Sequence, residues 1–313
     1  MKLTTRLTAV AAVSALMLTA CGGETDDGDA GTAGENGGSD YTIGLAVSTL
    51  NNPFFVALRD GAQVAADEAG VELSVTDARD DATEQANHVS NFQTQQLDAV
   101  LINPVDSDAA GPIVSPLVAD GVPVIAVDRA VEGAEVDAFV ASDNVEGGRL
   151  AAQALAEAIG EEGQVIVLQG VAGTSASRER GQGFDEGIAD FPGIEVVAKQ
   201  PADFDRTQGL DVATNLMQAN SDVVGIFAEN DEMALGAVQA LGDRAGDDVF
   251  IVGFDATDDG QAAVSDGTMY ATIAQQPEEL GRAAVEAAIA VLDGEGVDDT
   301  IAVPVVALRQ DDI

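Results

Sequence analysis

The chain has 313 residues, a hydrophobic fraction of 46% and no tryptophan, which is enough length for two domains of ordinary size and enough apolar content for a sizeable core. Its 55 acidic and 13 basic residues leave a formal charge of −42. That balance argues against nucleic acid and anionic lipid as direct partners, because both require a basic surface, and the single cysteine, Cys21, excludes an internal disulfide.

Met1–Arg6 is a basic start, and Leu7–Leu18 is an apolar segment of signal-peptide length. Leu18-Thr-Ala-Cys21 then has the pattern of a bacterial lipobox, in which the cysteine is lipid-modified and becomes the first mature residue. Residues 1–20 are therefore expected to be a lipoprotein signal peptide. Residues 21–40 are expected to be the lipidated Cys21 and a flexible acidic linker, since this stretch is rich in Gly, Asp and Glu and almost free of apolar residues. The expected location is extracytoplasmic, on the outer face of the cell membrane, with the lipid anchor as the only membrane contact.

From Tyr41 the pattern alternates between apolar strands and amphipathic helices. The spacing predicts strands at 43–47, 72–75, 99–102, 122–127 and 138–141, with helices at 56–68, 83–95 and 108–119 between the first four. A second series follows, with helices at 147–159, 178–189, 207–219, 232–241, 260–266 and 278–292. Its strands are expected at 165–168, 195–199, 223–227, 249–254, 270–274 and a last one at 301–306. Repeated βαβ units imply parallel sheets covered by helices on both faces. So many units imply an α/β chain of two doubly wound domains.

In such sheets ligands bind at the carboxyl ends of the strands, and here those ends are polar. The first strand leads into Ser48-Thr-Leu-Asn-Asn-Pro-Phe-Phe55, which places amides and aromatic rings at a strand-to-helix turn. Amides donate and accept together, and ring faces are apolar, a combination suited to a sugar with hydroxyls on its rim and C–H bonds on its faces. Asn103, the Asp128-Arg129 pair, Glu229-Asn230-Asp231, Asp255 and Gln275 occupy the corresponding places after later strands. Arg178 and Arg180 flank Glu179 near the start of a helix; two residues apart they do not share a face, so only one can point into a cleft.

Enzyme signals are poor. The only histidine, His88, lies mid-helix, which excludes His-based triads and multi-His metal sites. There is no phosphate-binding glycine loop or dinucleotide fingerprint, and Gly173–Ser177 lacks the final glycine of a nucleophile elbow. Asp255–Gly260 echoes a calcium loop only loosely, with Thr257 third and no bidentate glutamate. The expectation is no metal, no cofactor and no catalysis.

Read together, the blocks VSTLNNPFF, LINPVDSDA, ASDNVEGG, GTSASRERG, QPADFDR, NDEMALGA, VGFD and ATIAQ closely resemble the bacterial periplasmic ribose-binding proteins, the solute receptors of ABC transporters, from Tyr41 to about Val306. The resemblance implies the type I periplasmic-binding-protein fold, with two Rossmann-like parallel-sheet domains joined by a three-strand hinge near 141–143, 275–276 and 303–305. The domains implied are 41–142 plus 276–304 and 143–275 plus 305–313, with sugar between them. The family's ribose contacts match Asn52, Phe54, Phe55, Asn103, Asp128 and Arg129 in the first domain. In the second they match Arg180, Phe204, Asn230, Phe254, Asp255 and Gln275, and the resemblance selects Arg180 over Arg178. It implies that Phe54, Phe55 and Phe204 sandwich the pyranose faces, that Phe254 walls the pocket, and that the amides, aspartates and arginines saturate the hydroxyls. Asn51 is left to turn formation before Pro53.

The implied partners are D-ribose or a similar monosaccharide and the permease subunits of an ABC transporter, with the receptor itself a monomer. Alternatives on the same fold are receptors for allose, xylose, galactose or a furanose, and, more remotely, a sugar-sensing regulatory domain. The regulator would need a DNA-binding element where this chain has an export signal. The lipobox, the linker and the strong acidity depart from the free periplasmic members, and surface residues that dock the permease are not carried over.

Overall fold

A computed structural model describes residues 41–313; the expected signal peptide, Cys21 and the linker lie outside the described residues. The chain runs β1 (Thr42–Val47), α1 (Pro53–Ala69), β2 (Glu72–Asp77), α2 (Ala82–Gln95), β3 (Ala99–Ile102), α3 (Ser107–Ala119), β4 (Val124–Val127) and β5 (Ala138–Ser142). It continues α4 (Asn144–Ile159), β6 (Glu162–Gln169), α5 (Ser175–Ile188), β7 (Gly193–Pro201), α6 (Arg206–Ala219), β8 (Val223–Ala228), α7 (Asp231–Leu241) and β9 (Phe250–Asp255). It ends α8 (Asp258–Ser265), β10 (Ala271–Ala274), α9 (Pro277–Leu292), β11 (Thr300–Val303) and β12 (Val306–Arg309).

Two six-stranded sheets result, in the orders β11-β5-β4-β3-β1-β2 and β12-β10-β9-β8-β6-β7. Central strands such as Ala99–Ile102 and Val124–Val127 are buried along their whole length, as continuous apolar runs must be when helices cover both faces. Each fully buried Leu, Ile or Val of these runs contributes roughly 1.5–3 kcal/mol. The chain passes between the sheets three times, at Asp143, at Gln275–Gln276 and at Pro304–Val305.

The first helix shows why the elements begin where they do. Asn52 holds extended backbone and accepts the N–H of Phe54, and Pro53 stands at the first helical position, where its missing N–H costs nothing. Phe54, Phe55, Leu58, Ala62, Ala65 and Ala66 form the buried face, and Gly70 ends the helix at φ 72°.

One expectation is corrected at the carboxyl end. The last strand, read as a single run over 301–306, is two strands in different sheets. Pro304 lacks the N–H that would continue a ladder. β11 closes the first sheet in parallel with β5, and β12 joins the second sheet antiparallel to β10, pairing Ala271 with Arg309. The second sheet is therefore mixed at that edge.

Helices α4 and α5 approach each other unusually closely. A Cβ on Gly148 would stand 2.2 Å from the carbonyl oxygen of Arg180, and one on Gly183 would stand 1.9 Å from that of Val145. Only glycine permits this contact, and it seats the helix that carries Arg180.

Candidate functional site

The carboxyl ends of both sheets converge on one small cavity, lined by residues of both. The first sheet contributes Asn52, Phe54 and Phe55 from the β1–α1 turn and Asp128 and Arg129 from the end of β4. The second contributes Arg180 from α5, Phe204 from the β7–α6 turn, Asn230 from the start of α7, Asp255 from the end of β9 and Gln275 after β10. Asn103 and Phe254 do not line the cavity; both are fully buried behind its wall.

The polar groups form two similar constellations, one per sheet. On the first side, Asn103 Nδ2 donates to Asp128 Oδ2 at 3.1 Å, Arg129 Nε lies 3.7 Å from the same oxygen, and Arg129 Nη1 donates to the Pro104 carbonyl at 2.9 Å. On the second side, Gln275 Nε2 donates to Asp255 Oδ1 at 2.7 Å, Arg180 Nη1 lies 3.7 Å from that oxygen, and the same Nη1 donates to the Glu229 carbonyl at 2.6 Å. Arg180 Nε is held by Asn144 Oδ1 at 2.9 Å. Each aspartate is thus oriented by an amide and paired with an arginine that a main-chain carbonyl fixes.

These four charges are 2–6% exposed, and burying them is costly unless they are well bonded. Burial pushes the Asp128 carboxyl up from its ordinary range, against the pull of Arg129 and Arg180. Burial likewise pushes Asp255 well up, with Arg180 pulling the other way and Asp231 adding to the rise. Burial pulls the Arg129 guanidinium down, opposed chiefly by Asp128. Asp128 Oδ1, Arg129 Nε and Gln275 Oε1 find no hydrogen-bond partner within the protein. Acceptors and a donor left over in a buried cavity are the lining of a polar ligand site.

Aromatic rings complete the walls. Phe54 and Phe55 meet edge to face, with centroids 5.2 Å apart and planes at 83°. The Arg129 guanidinium carbon lies 5.2 Å from the Phe55 centroid and 5.5 Å from that of Phe204. Phe254 lies under Arg180, 3.9 Å from ring centroid to guanidinium carbon, so its contact is with the arginine. Backbone strain concentrates at the same place: Asp128, Phe204 and Asp255 have φ of 64°, 58° and 117°. Such conformations cost about 1–3 kcal/mol each and cluster where function requires them.

A seam joins the two sides beside the cavity. Ser107 N–H donates to the Gly173 carbonyl at 3.1 Å, Ser175 N–H donates to Ser107 Oγ at 3.1 Å, and Ala130 N–H donates to Ser175 Oγ at 2.8 Å. Arg178, on the solvent side of α5, reaches Asp108 and Glu132 at 3.3 Å each. The two arginines that flank Glu179 therefore divide between seam and cavity, with Arg180 buried.

The seam and Ala176 escaped the sequence reading. Ala176 lines the cavity and is 2% exposed; it stands one turn before Arg180, and the i, i+4 spacing on one helix face was the available signal. Asn51 is exposed, with its N–H on Thr49 Oγ at 3.2 Å.

Residues 43–296 match the model of the periplasmic binding protein domain. The chain is 45% identical over 292 residues to the ribose import binding protein of Bacillus subtilis, covering 93% of this chain and 94% of that one. It is 48% identical over 266 residues to the ribose import binding protein of Escherichia coli, covering 85% and 90%. Among solved structures, it is similar to a periplasmic solute-binding protein of an ABC transporter from Actinobacillus succinogenes with bound D-allose, with a TM-score of 0.82, 32% identity, and coverage of 87% of this chain and 99% of that one.

Proposed function

The chain belongs to the periplasmic binding protein family, and from that premise we propose that it is the ribose receptor of an ABC transporter, taking D-ribose into the cavity between its two sheets and delivering it to the permease. The observation that carries this reading is the pair of Asp–Arg–amide constellations, one from each sheet, facing a single small cavity with phenylalanine walls. A pentose presents hydroxyls in several directions around a ring with apolar faces. Asp128 and Asp255 accept from hydroxyls, Arg129 and Arg180 donate to hydroxyls or the ring oxygen, and Asn52, Asn230 and Gln275 bond the remainder. Phe54, Phe55 and Phe204 pack on the ring faces. Asn103 and Phe254 act from behind, the first by orienting Asp128 and the second by supporting Arg180.

Because the ligand bonds both sides at once, it favours the closed arrangement by its differential affinity for it. The closing motion is assigned to the three passages between the sheets, where a few backbone dihedrals absorb the rotation. The proposed domains are 41–142 plus 276–304 and 143–275 plus 305–313. The receptor works as a monomer, held on the outer face of the membrane through lipidated Cys21, and it releases its sugar chemically unchanged, as a solute-binding protein of this family would.

A thermal-shift panel of D-ribose, D-allose, D-xylose, D-galactose and L-arabinose tests the assignment. The largest stabilisation is expected with D-ribose, because a site built to pair hydroxyls rejects an analogue that leaves a buried group unpaired. Stabilisation by another sugar with none from ribose would overturn the choice of ligand.

A further inference from the structure

Among the buried acids of the second sheet, one touches the cavity only through other residues. Glu229, between β8 and Asn230, is completely buried yet lines no part of the cavity. Its Oε2 accepts the backbone N–H of Gly170 at 2.7 Å and the hydroxyl of Ser177, and its backbone carbonyl accepts Arg180 Nη1 at 2.6 Å. Gly170 is where the ring of Phe204 rests: a Cβ there would stand 2.0 Å from the ring's Cζ. Phe204, itself at φ 58°, has its carbonyl held by Asn230 Nδ2 at 3.2 Å. Two consecutive residues, Glu229 and Asn230, therefore hold the aromatic wall from two sides and the charged donor from a third.

We propose that Glu229 is a positioning residue for sugar binding: its carboxyl, clamped on Gly170 and Ser177, fixes the floor under Phe204, while its carbonyl fixes Arg180, so that ring and guanidinium keep a common register. This rests on the reading of the cavity as a sugar site. The two donors on Oε2 favour the ionised carboxyl, burial favours the neutral one, and Oε1 finds no hydrogen-bond partner within the protein. Burial pushes Glu229 up to about 7, against the lowering effects of the Gly170 N–H, Ser177, Arg180 and Lys199. The groups that face it are Gly170 at the end of β6, Ser177 and Arg180 on α5, and Lys199 on β7, and no ion pair to its carboxylate is present among the described residues. Ionisation places a charge whose nearest strong attraction is Arg180, drawing that guanidinium away from Asp255 and the cavity. Glutamine has the same size and keeps an oxygen for both donors, so it reproduces the neutral clamp.

Calorimetric titration with D-ribose, on the full chain at pH 6 and pH 8.5, tests the assignment. Wild type is expected to bind several-fold more weakly at pH 8.5, Glu229→Gln to bind equally at both and as wild type does at pH 6, and Glu229→Ala to lose at least about tenfold at either. Glu229→Gln keeps the test decisive if the alanine variant does not fold. A Glu229→Gln variant as weak as Glu229→Ala, or one with the wild-type pH profile, overturns the proposal, as does a folded Glu229→Ala that binds as wild type. No heat from wild type at either pH instead overturns the ribose reading, which separates the two failures.

Discussion

Asp128 and Arg129 hold each other at 3.7 Å with side chains 3–4% exposed. Removing one partner of such a pair strands the other as a buried charge, a loss of about 3–5 kcal/mol. Arg129→Ala and Asp128→Ala are accordingly expected to abolish the stabilisation by ribose in a thermal-shift assay; retained stabilisation in both would exclude the pair from the site. Glu229 yields a pH prediction with a defined sign. Its carboxyl titrates near 7 in the folded chain against an ordinary value of 4.5. The folded state therefore binds more protons than the unfolded one between those values, and stability from this group is full below about 4.5 and lost as pH rises through 7. A shift of this size corresponds to roughly 3 kcal/mol. Glu229→Gln is expected to match wild type in melting temperature at pH 4.5 and to exceed it at pH 8.5; equal melting temperatures at pH 8.5 would contradict the buried neutral carboxyl. Asn52 and Asn230 were legible from sequence because cap and ligand prefer the same residue at a strand-to-helix turn, and each does cap its helix. The support that Glu229 gives was not legible, because it depends on Gly170 and Ser177, more than 50 residues away.

At the scale of elements, the βαβ alternation reads directly from apolar runs and amphipathic stretches, and the strand ends carry the residues that face the cavity. The division of the last strand was missed since Val303-Pro304-Val305 sits in one continuous apolar run. Only the proline, which cannot donate to a ladder, marks the break. The closeness of α4 and α5 was equally hidden, because glycines inside helices read as weak points until the facing backbone is known. Gly148→Ala forces a methyl against the Arg180 carbonyl, and overpacking of this kind costs about 1–3 kcal/mol. The variant is expected to melt earlier and also to bind ribose more weakly, since α5 carries Arg180. A lowered melting point with unchanged affinity would show that the α4–α5 contact does not set the arginine's position.

For the whole molecule, the two sheets face one cavity beside a seam of hydrogen bonds that joins them. The serine and backbone bonds of Ser107, Gly173, Ser175 and Ala130 are accompanied by the exposed Arg178 bridges. Exposed pairs of this kind contribute about 0–1 kcal/mol each and weaken with salt. Arg178→Ala is therefore expected to leave the melting temperature nearly unchanged and to lower ribose affinity by no more than about tenfold, with the difference shrinking in 1 M salt; a difference that persists at high salt would remove the ion pairs as its cause. The proposed ligand of this chain is one ribose, held between the two Asp–Arg constellations. Isothermal titration calorimetry with D-ribose tests that assignment most directly. Wild type is expected to bind one sugar per chain saturably, and Arg129→Ala to bind none. No heat with ribose in wild type, or undiminished binding in Arg129→Ala, would contradict it.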